Sequence, residues 1–343
     1  MTANIKNCRG KVCRRRDSII ALMMKNLLRG GTLLLAVIIV TFLLANASPI
    51  DPISAYVGSE SAISPEQREA IARYWGLDQP LLVRLFSWLR ALLCGDMGRS
   101  YYFQQPVTAV IQERFMNSMM LMGTAWFLSG VLGFILGIVA AVKRHTAVDK
   151  GIKTFCLLIA SSPTFWIGML MMMVFAVWLG WFPLGLSAPM GKIAAQVTVG
   201  ERIHHLILPA VTLSITGVAN IALHTRQKLI DVIESDFFLF ARARGESVWR
   251  AVMRHGLRNI LLPAITLQFA SIGEIFGGSV LAENVFSYTG IGQAAVLAGT
   301  HGDTPLLMGI ALFSAIFVFC GNMIADLLYP WIDPQIREAR DEK

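Results

Sequence analysis

The sequence predicts an all-α membrane protein with six transmembrane helices. Of its 343 residues, 55% are hydrophobic and only 15% are charged, whereas soluble domains carry about 25% charged residues. A helix needs roughly 20 apolar residues to cross a hydrocarbon core about 30 Å thick. Stretches of this kind lie at 31–48, 118–142, 154–182, 206–225, 260–282 and 304–329. We therefore expect most of the chain to lie in a lipid bilayer.

The first predicted helix, 31–48, follows a basic amino-terminal segment, 1–30. Its apolar stretch and the small residues Ala45 and Ala47 also fit a cleaved secretory signal. The basic segment is long for a signal peptide, however, and five further spans need a first helix to orient them. We therefore predict that the first helix is not cleaved and stays in the membrane.

Lysines and arginines orient the predicted spans. They are dense in the segment 1–30 and in the links 143–153 and 226–259, whereas 183–205 holds two and 283–303 none. Basic residues are retained in the cytoplasm, so we expect both termini and the 226–259 loop there. The net charge of +8 then reflects membrane orientation and does not indicate nucleic-acid binding.

The remaining chain divides into an outer segment, a core and a tail. The stretch 49–117 carries helix signals in SPEQREAIARYWG and LLVRLFSWLRALL and reads as an extracytoplasmic helical segment. The range 118–330 is the core transmembrane domain of five helices, and 331–343 is a cytoplasmic tail. Small residues at close spacing in the second span predict a tight helix crossing: Gly130, Gly133 and Gly137.

The cytoplasmic stretch 236–245, DFFLFARARG, predicts a short helix. Ser235 or Asp236 can cap its amino terminus and Gly245 can end it. One interpretation is an interfacial helix on lipid headgroups. The other is a projection that docks into a groove on a partner, with aromatic anchors. The residues leave both open, since the stretch carries an apolar side and two basic side chains: Phe237, Phe238, Phe240, Ala241, Arg242 and Arg244.

The run 241–263, ARARGESVWRAVMRHGLRNILLP, resembles the cytoplasmic signature of permease subunits of ATP-binding-cassette importers. The version is that of the dipeptide/oligopeptide/nickel family. The chain departs from the general motif of such permeases at Leu239 and Phe240, where a glutamate and an alanine would stand. Further fragments resemble the family in the same order along the chain: GLDQPL (76–81), GDMGRS (95–100), ENVFSYTGIG (283–292) and LLYPWIDPQIR (327–337).

This resemblance implies a type I ABC importer permease fold and a set of partners. These are a second, homologous permease subunit forming a heterodimer, two cytoplasmic ATPase subunits that bind ATP and Mg²⁺, and an extracytoplasmic substrate-binding protein. The chain has no G-x-x-x-x-G-K-[ST] phosphate loop, so we predict a permease that is not an enzyme and binds no cofactor. The resemblance assigns ATPase docking to Asp236, Phe237, Phe238, Phe240, Ala241, Arg242, Arg244 and Gly245.

Glu274 is the candidate for the translocation pathway, with Asn220 as a weaker one. A charged group at mid-membrane costs at least about 2.5 kcal/mol, so Glu274 should face protein or water. It either lines the pathway or bonds to a neighbouring helix. The pattern IGEIFGGSVLAEN resembles the nickel-importing branch, which predicts nickel or a metal chelate as cargo. Di- or oligopeptides or glutathione-like compounds are the alternative, and no residue is predicted to hold a metal permanently.

The sequence argues against two other classes of membrane protein. An intramembrane enzyme needs a catalytic dyad or a metal motif within its spans, and neither H-E-x-x-H nor a convincing dyad occurs in the sequence. A channel or secondary transporter needs no cytoplasmic docking helix and often shows internal repeats, of which none is evident. Co-purification of an ATPase would separate the importer from both.

Overall fold

The computed structural model describes residues 28–57, 64–192 and 196–332. Helices make up nearly all of the regular structure in these ranges, beside a single isolated antiparallel bridge. The predicted all-α class is confirmed. Most of the predicted amino-terminal segment, residues 1–27, and nearly all of the predicted tail, residues 333–343, lie outside the described residues.

The helices follow one another mostly through short connections. In chain order they are α1 (Leu28–Ala47), α2 (Pro52–Val57), α3 (Pro65–Trp75), α4 (Leu81–Leu93), α5 (Val107–Val142), α6 (Ala147–Ala160), α7 (Thr164–Met171, continued by a π-helical turn, Met172–Trp178), α8 (Val199–Ile233), α9 (Asp236–Ala243), α10 (Val248–Ala251, continued by a π-helical turn, Val252–Gly256), α11 (Leu257–Ala270), α12 (Ile272–Val285), α13 (Ile291–Thr300) and α14 (Thr304–Ile332).

Within the described ranges, α1, α5, α8 and α14 are each long and apolar enough to cross a membrane. Two bent helix pairs raise the number of spans to six if each pair is one span. Helices α5 and α8 have 36 and 35 residues, well above the roughly 20 that cross the hydrocarbon core. The predicted spans 118–142 and 206–225 are therefore parts of longer helices: the first is the carboxyl-terminal part of α5, and the second lies in the middle of α8.

The third predicted span, 154–182, is not one straight helix. The α6 helix ends at Ala160, α7 begins at Thr164, and the two are bent by 109°. The cause is Pro163, which has no N–H to donate and restricts the residue before it to extended backbone. The hydroxyls of Ser161 and Ser162 both donate to the Leu158 carbonyl, at 2.9 and 2.8 Å.

The fifth predicted span, 260–282, is also broken. Helices α11 and α12 meet at Ser271 with a bend of 50°. The Ser271 hydroxyl donates to the Gln268 carbonyl at 2.8 Å, so side chain and backbone compete for the same acceptor region at the bend. The helix beyond the bend runs to Val285, three residues past the predicted end.

The first of two compact units comprises the described residues up to Val107 together with 298–319. Its core joins α1 to the start of α14, and side chains of α4 pack against that core. The buried members are Ile38, Phe42, Met308 and Leu312. The α3 helix begins with a reciprocal capping box between Ser64 and Gln67, which satisfies backbone donors that the helix itself leaves unpaired.

The second unit comprises residues 108–297 and the described chain from Cys320 onward. Helix α8 lies inside it, packed by α6, α7, α11 and α12. The predicted close crossing of α5 is confirmed. A Cβ on Gly137 would lie 2.7 Å from the Ala222 carbonyl oxygen, and one on Gly133 would lie 2.9 Å from that of Val218. Only glycine lets α5 approach the α8 backbone this closely.

Candidate functional site

Helix α9 occupies the predicted cytoplasmic stretch. The cap residue is Ser235, with extended backbone at φ −76° and ψ 152°, and its hydroxyl donates to the Val232 carbonyl at 2.5 Å. Asp236 in the first turn and Arg242 in the last complement the helix dipole. After α9 the chain turns at Gly245, whose φ is +89°. The predicted start and stop of this helix are both confirmed.

The inner face of α9 belongs to the core of its own chain. Phe238 is 1% exposed and Ala241 is 7% exposed. This corrects the prediction for both residues, since a side chain held in the core of its own subunit cannot insert into a groove on another. The buried partners come from α5, α8, α10 and α11 and from the turn after α10: Ile138, Ala141, Leu229, Ile230, Ala251, Val252 and Ile260.

The outer face of α9 is apolar and basic. Phe237, Leu239 and Phe240 are 49%, 57% and 66% exposed. Leu239 is a member of this face that the sequence did not single out, although it is the apolar residue between two predicted ones. We call the exposed side chains here the α9 surface: Asp236, Phe237, Leu239, Phe240, Arg242 and Arg244. That a partner covers this surface stays a prediction.

The signature downstream of α9 fixes the turn that follows it. The half-buried Glu246 lies 3.5 Å from His255 Nε2 and 3.9 Å from Arg254 Nη1, measured at its carboxylate oxygens. The Asn259 side-chain amide donates to the His255 carbonyl at 3.0 Å. These contacts tie the chain after α9 to the π-helical turn before α11, so the stretch HGLRN (255–259) of the quoted run has a local structural role.

A buried ion pair lies at the start of α6. Arg226 of α8 donates to Asp149 of α6 twice, from Nε at 2.6 Å and from Nη2 at 2.8 Å. The backbone N–H of His145 adds a third bond to the carboxylate at 3.1 Å, and Asp149 is buried. Such a bidentate pair fixes the geometry of two helices. This ion pair was not predicted, because the two residues are distant in the sequence and each has the sequence context of a charge exposed to water.

The two predicted pathway residues, Glu274 and Asn220, lie on different helices. Glu274 is in the first turn of α12, and Asn220 is in the second half of α8. Both are exposed, and among the residues that the structure describes neither makes a hydrogen bond or an ion pair. The alternative role of Glu274, a bond to a neighbouring helix, is thus not seen within this chain. Its place on the pathway stays a prediction.

A second carboxylate of α12, Glu283, is fully buried at 0% exposure. Its Oε1 accepts from the Ser118 hydroxyl at 2.7 Å, and its Oε2 accepts from the backbone N–H of Gly292 at 2.7 Å and of Gln293 at 3.2 Å. It therefore caps the amino terminus of α13, where an anion is favoured. Glu283 lies one residue beyond the predicted end of the fifth span, 282, and was therefore not considered beside Glu274.

Around Glu283 further bonds join α5 to α13 and to the residues just before it. The Asn117 side-chain amide donates to the Thr289 carbonyl at 2.9 Å, and Arg114 donates to the Gln293 side-chain carbonyl at 3.0 Å. Ser118 also accepts from the Ile291 N–H at 2.8 Å. The region is a satisfied polar network, as buried polar groups require.

Comparison with known families places the chain among transport components. Residues 133–338 match the family described as "Binding-protein-dependent transport system inner membrane component". Residues 19–122 match "Binding-prot-dependent transport system membrane comp, N-term". The first match covers more than half of the chain, and it contains the whole of α9 and α12.

Curated relatives and a solved structure agree with these matches. The oligopeptide transport system permease protein AppB of Bacillus subtilis (strain 168) is 34% identical over 92% of this chain and 99% of its own length. The glutathione transport system permease protein GsiC of Salmonella choleraesuis (strain SC-B67) is 33% identical over 92% and 98%. A structure of the inward-facing MetNI methionine ABC transporter aligns with a TM-score of 0.53 and 15% identity, covering 66% of this chain and 97% of the other.

Proposed function

The chain belongs to the family of binding-protein-dependent transport system inner membrane components, and from this membership we propose that it is the permease subunit of an ATP-driven importer. It is one half of the translocation pathway, and a second homologous permease is the other. Two cytoplasmic ATPase subunits, which bind ATP and Mg²⁺, drive the cycle. An extracytoplasmic binding protein delivers the cargo.

The proposed cargo is a short peptide or a glutathione-like compound. The observation that carries this choice is the similarity, along nearly the whole chain, to the oligopeptide permease AppB and the glutathione permease GsiC. The sequence analysis favoured nickel or a metal chelate because of Glu274 and the pattern around it. The relatives are named for peptide and glutathione transport and do not support a nickel cargo. We therefore propose the alternative, a peptide or a glutathione-like compound.

The α9 surface is the proposed docking site for an ATPase subunit. Three of its side chains are exposed and apolar, and two basic side chains lie beside them. Aromatic and arginine side chains are the residue types that dominate binding energy at protein interfaces. Behind the surface, Phe238 is locked in the chain's own core. A displacement of α9 is therefore expected to move the helices that it packs against, because α9 is fixed to them and is not a free loop.

The proposed coupling follows the chain. Helix α9 is joined to α8 through Glu234 and Ser235 and to α11 through α10, and its core contacts include α5. When the ATPases close around ATP, displacement of α9 moves these helices together. The exposed Asn220 and Glu274 lie on the α8 and α12 faces that this chain leaves uncovered, and we propose that they border the pathway between the two permeases.

The proposed orientation places both termini and α9 in the cytoplasm and the segment 49–117 outside. Its basis is the distribution of lysine and arginine. In a chain whose five cysteines are replaced, Glu66→Cys should react with an impermeant maleimide applied from outside. Arg250→Cys should react only after permeabilisation. The reverse pattern would overturn the orientation and, with it, the docking of a cytoplasmic ATPase on α9.

Cargo uptake by a deletion strain tests the proposed function. Loss of the chain should abolish uptake of a labelled tripeptide or of labelled glutathione, and the wild-type chain should restore it, while uptake of ⁶³Ni²⁺ stays unchanged. An ATPase subunit should co-purify with the restored chain. Lost nickel uptake with intact peptide and glutathione uptake would reverse the choice of cargo. Peptide uptake without any associated ATPase would contradict the proposal that the chain belongs to an ATP-driven importer.

A further inference from the structure

The first unit contains an open cavity of about 460 Å³. It is bordered by α3, α4 and the chain between Gly98 and Gln104, with the ends of α1 and α14 at its base. Pockets that bind small molecules span about 300–1,000 Å³, so the volume suits a compound of dipeptide size. We call it the Arg84 cavity, after the arginine on α4 that lines it.

The walls of the Arg84 cavity are held by contacts of their own. Trp75 stacks on Tyr101 with ring centroids 4.1 Å apart and planes 11° from parallel. The Trp88 indole N–H donates to the Met97 carbonyl at 3.2 Å. Aromatic walls that are already fixed lose little conformational freedom when a ligand packs against them.

The loop that carries Tyr101 is anchored to the start of α14. Asp303 is fully buried and accepts from the Ser100 hydroxyl at 2.5 Å and from the Tyr102 N–H at 3.0 Å. The Leu306 N–H donates to the same carboxylate at 3.2 Å. The loop is thus positioned by a satisfied carboxylate, and the shape of the cavity does not depend on a bound ligand.

The charge of the lining is one-sided. Arg84 and Arg99 border the cavity, and no aspartate or glutamate of the described residues does. Arg99 donates to the Gln104 carbonyl at 2.6 Å. Arg84 is half-buried, and across the ranges 28–57, 64–192 and 196–332 its guanidinium makes no hydrogen bond or ion pair. A guanidinium carries five N–H donors and is always charged, so this one can accept an anion without giving up a protein partner.

Tyr101 adds a neutral donor beside Arg84. Burial raises the pKa of Tyr101 to about 12, with Asp303 acting in the same direction and Arg84 opposing it. The phenol therefore keeps its proton at neutral pH and can donate to an anionic oxygen. The rest of the lining includes four aromatic side chains, Phe42, Tyr74, Trp75 and Trp88, which favour a ligand with an apolar body over a bare inorganic ion.

We propose that the Arg84 cavity binds a small organic carboxylate with an apolar or aromatic body, about the size of a dipeptide. Arg84 is its ion-pair partner, Tyr101 donates to the same carboxylate, and the body packs against Trp75 and Trp88. The site lies in the first unit, on α3 and α4, and shares no residue with the α9 surface or with α12. It adds a binding activity to the proposed function and does not depend on ATPase docking.

The test is a calorimetric titration of the full-length chain in lipid nanodiscs. The probes are N-acetyl-phenylalanine, its uncharged amide and inorganic phosphate. We expect the acid to bind at least about tenfold more tightly than the amide, because a charged hydrogen bond is worth roughly 1.5–3 kcal/mol. Phosphate should bind more weakly than the acid. Equal binding of acid and amide, tighter binding of phosphate, or no acid binding at millimolar concentration would each overturn the proposal.

Two arginine variants assign the site. Arg84→Gln should lower the affinity for the acid about tenfold or more and leave the affinity for the amide unchanged. Arg90→Gln is the matched control, since Arg90 is exposed on the same helix and does not line the cavity. Circular dichroism checks that both variants are folded. An unchanged affinity in Arg84→Gln, or an equal loss in Arg90→Gln, would contradict the assignment. No step involves transport, so this result and the uptake result can fail separately.

Discussion

The two glutamates of α12, one near each end of the helix, have opposite surroundings. Glu283, in the last turn, is fully buried and accepts three hydrogen bonds from α5 and α13. Glu274, in the first turn, is exposed and has no such bond among the described residues. Nine positions along one helix thus lead from a carboxylate with no hydrogen-bond partner among the described residues to one with three.

This difference teaches how to interpret a charge in a hydrophobic helix. The desolvation cost of a buried carboxylate is offset only by hydrogen bonds that are already in place, as at Glu283. An uncovered carboxylate on an apolar helix indicates instead that water, cargo or another subunit completes its surroundings. Two apolar side chains of α9 differ in the same way. Phe238 is buried in the core of the chain, and Phe240, two residues later, is exposed.

The largest effect is expected at the buried end. Glu283→Ala removes three accepted bonds, leaves the Ser118 hydroxyl and two backbone N–H groups unpaired, and opens a cavity. We expect a loss of roughly 3–5 kcal/mol of stability, seen as little folded protein by fluorescence-detected size exclusion. Glu274→Ala is the control on the same helix and should leave the yield unchanged. Equal yields for the two variants would erase the contrast between the ends of α12.

The next effect separates the two faces of α9. Phe238→Ala should destabilise the chain by about 3–5 kcal/mol, lowering its melting temperature. Phe240→Asp should leave melting unchanged and lower ATPase stimulation by the binding protein at least about tenfold, since interface anchors contribute 2 kcal/mol or more. Normal ATPase coupling in Phe240→Asp would remove α9 from the docking site. Normal melting in Phe238→Ala would contradict its place in the core.

The smallest effect is expected at Glu274. Glu274→Gln keeps the size of the side chain and removes its charge, so folding should be unaffected. If the carboxylate borders the pathway, uptake of a peptide with a free amino terminus should fall about fivefold, as expected for an interaction of roughly 1 kcal/mol in water. Uptake of the amino-terminally acetylated peptide is the control and should not change. Unchanged uptake of both would withdraw Glu274 from the pathway.

Much of the fold followed from the sequence, because long apolar runs leave few alternatives. The predicted type I ABC importer permease fold is confirmed, and α9 has the predicted cap residue Ser235 before it and the predicted turn at Gly245 after it. The bend at Pro163 could have been predicted, since proline restricts the backbone around it. The bend at Ser271 could not, because a serine in an apolar run is compatible with a continuous helix.

The site was harder to predict than the fold. Four aromatic or apolar residues in succession do not reveal which of them faces the core, so Phe238 was assigned to the wrong face and Leu239 was left out. Glu283 was missed because its partners, Ser118 and the start of α13, are brought to it only by the fold. The predicted nickel or metal-chelate cargo finds no support among the relatives, because one carboxylate pattern on α12 carries little chemical specificity.

The pair between Asp149 and Arg226 has a consequence for biosynthesis. The two residues are 77 positions apart, and ribosomes add roughly 5–20 residues per second. At a translation rate in that range, Arg226 is therefore synthesised roughly 4 to 15 s after Asp149. During this interval Asp149, in the link 143–153 that is predicted to be cytoplasmic, lacks the two hydrogen bonds that join α6 to α8. A chain stalled before Arg226 is synthesised therefore cannot fix α6 against α8, and the packing of these two helices is completed only after that point.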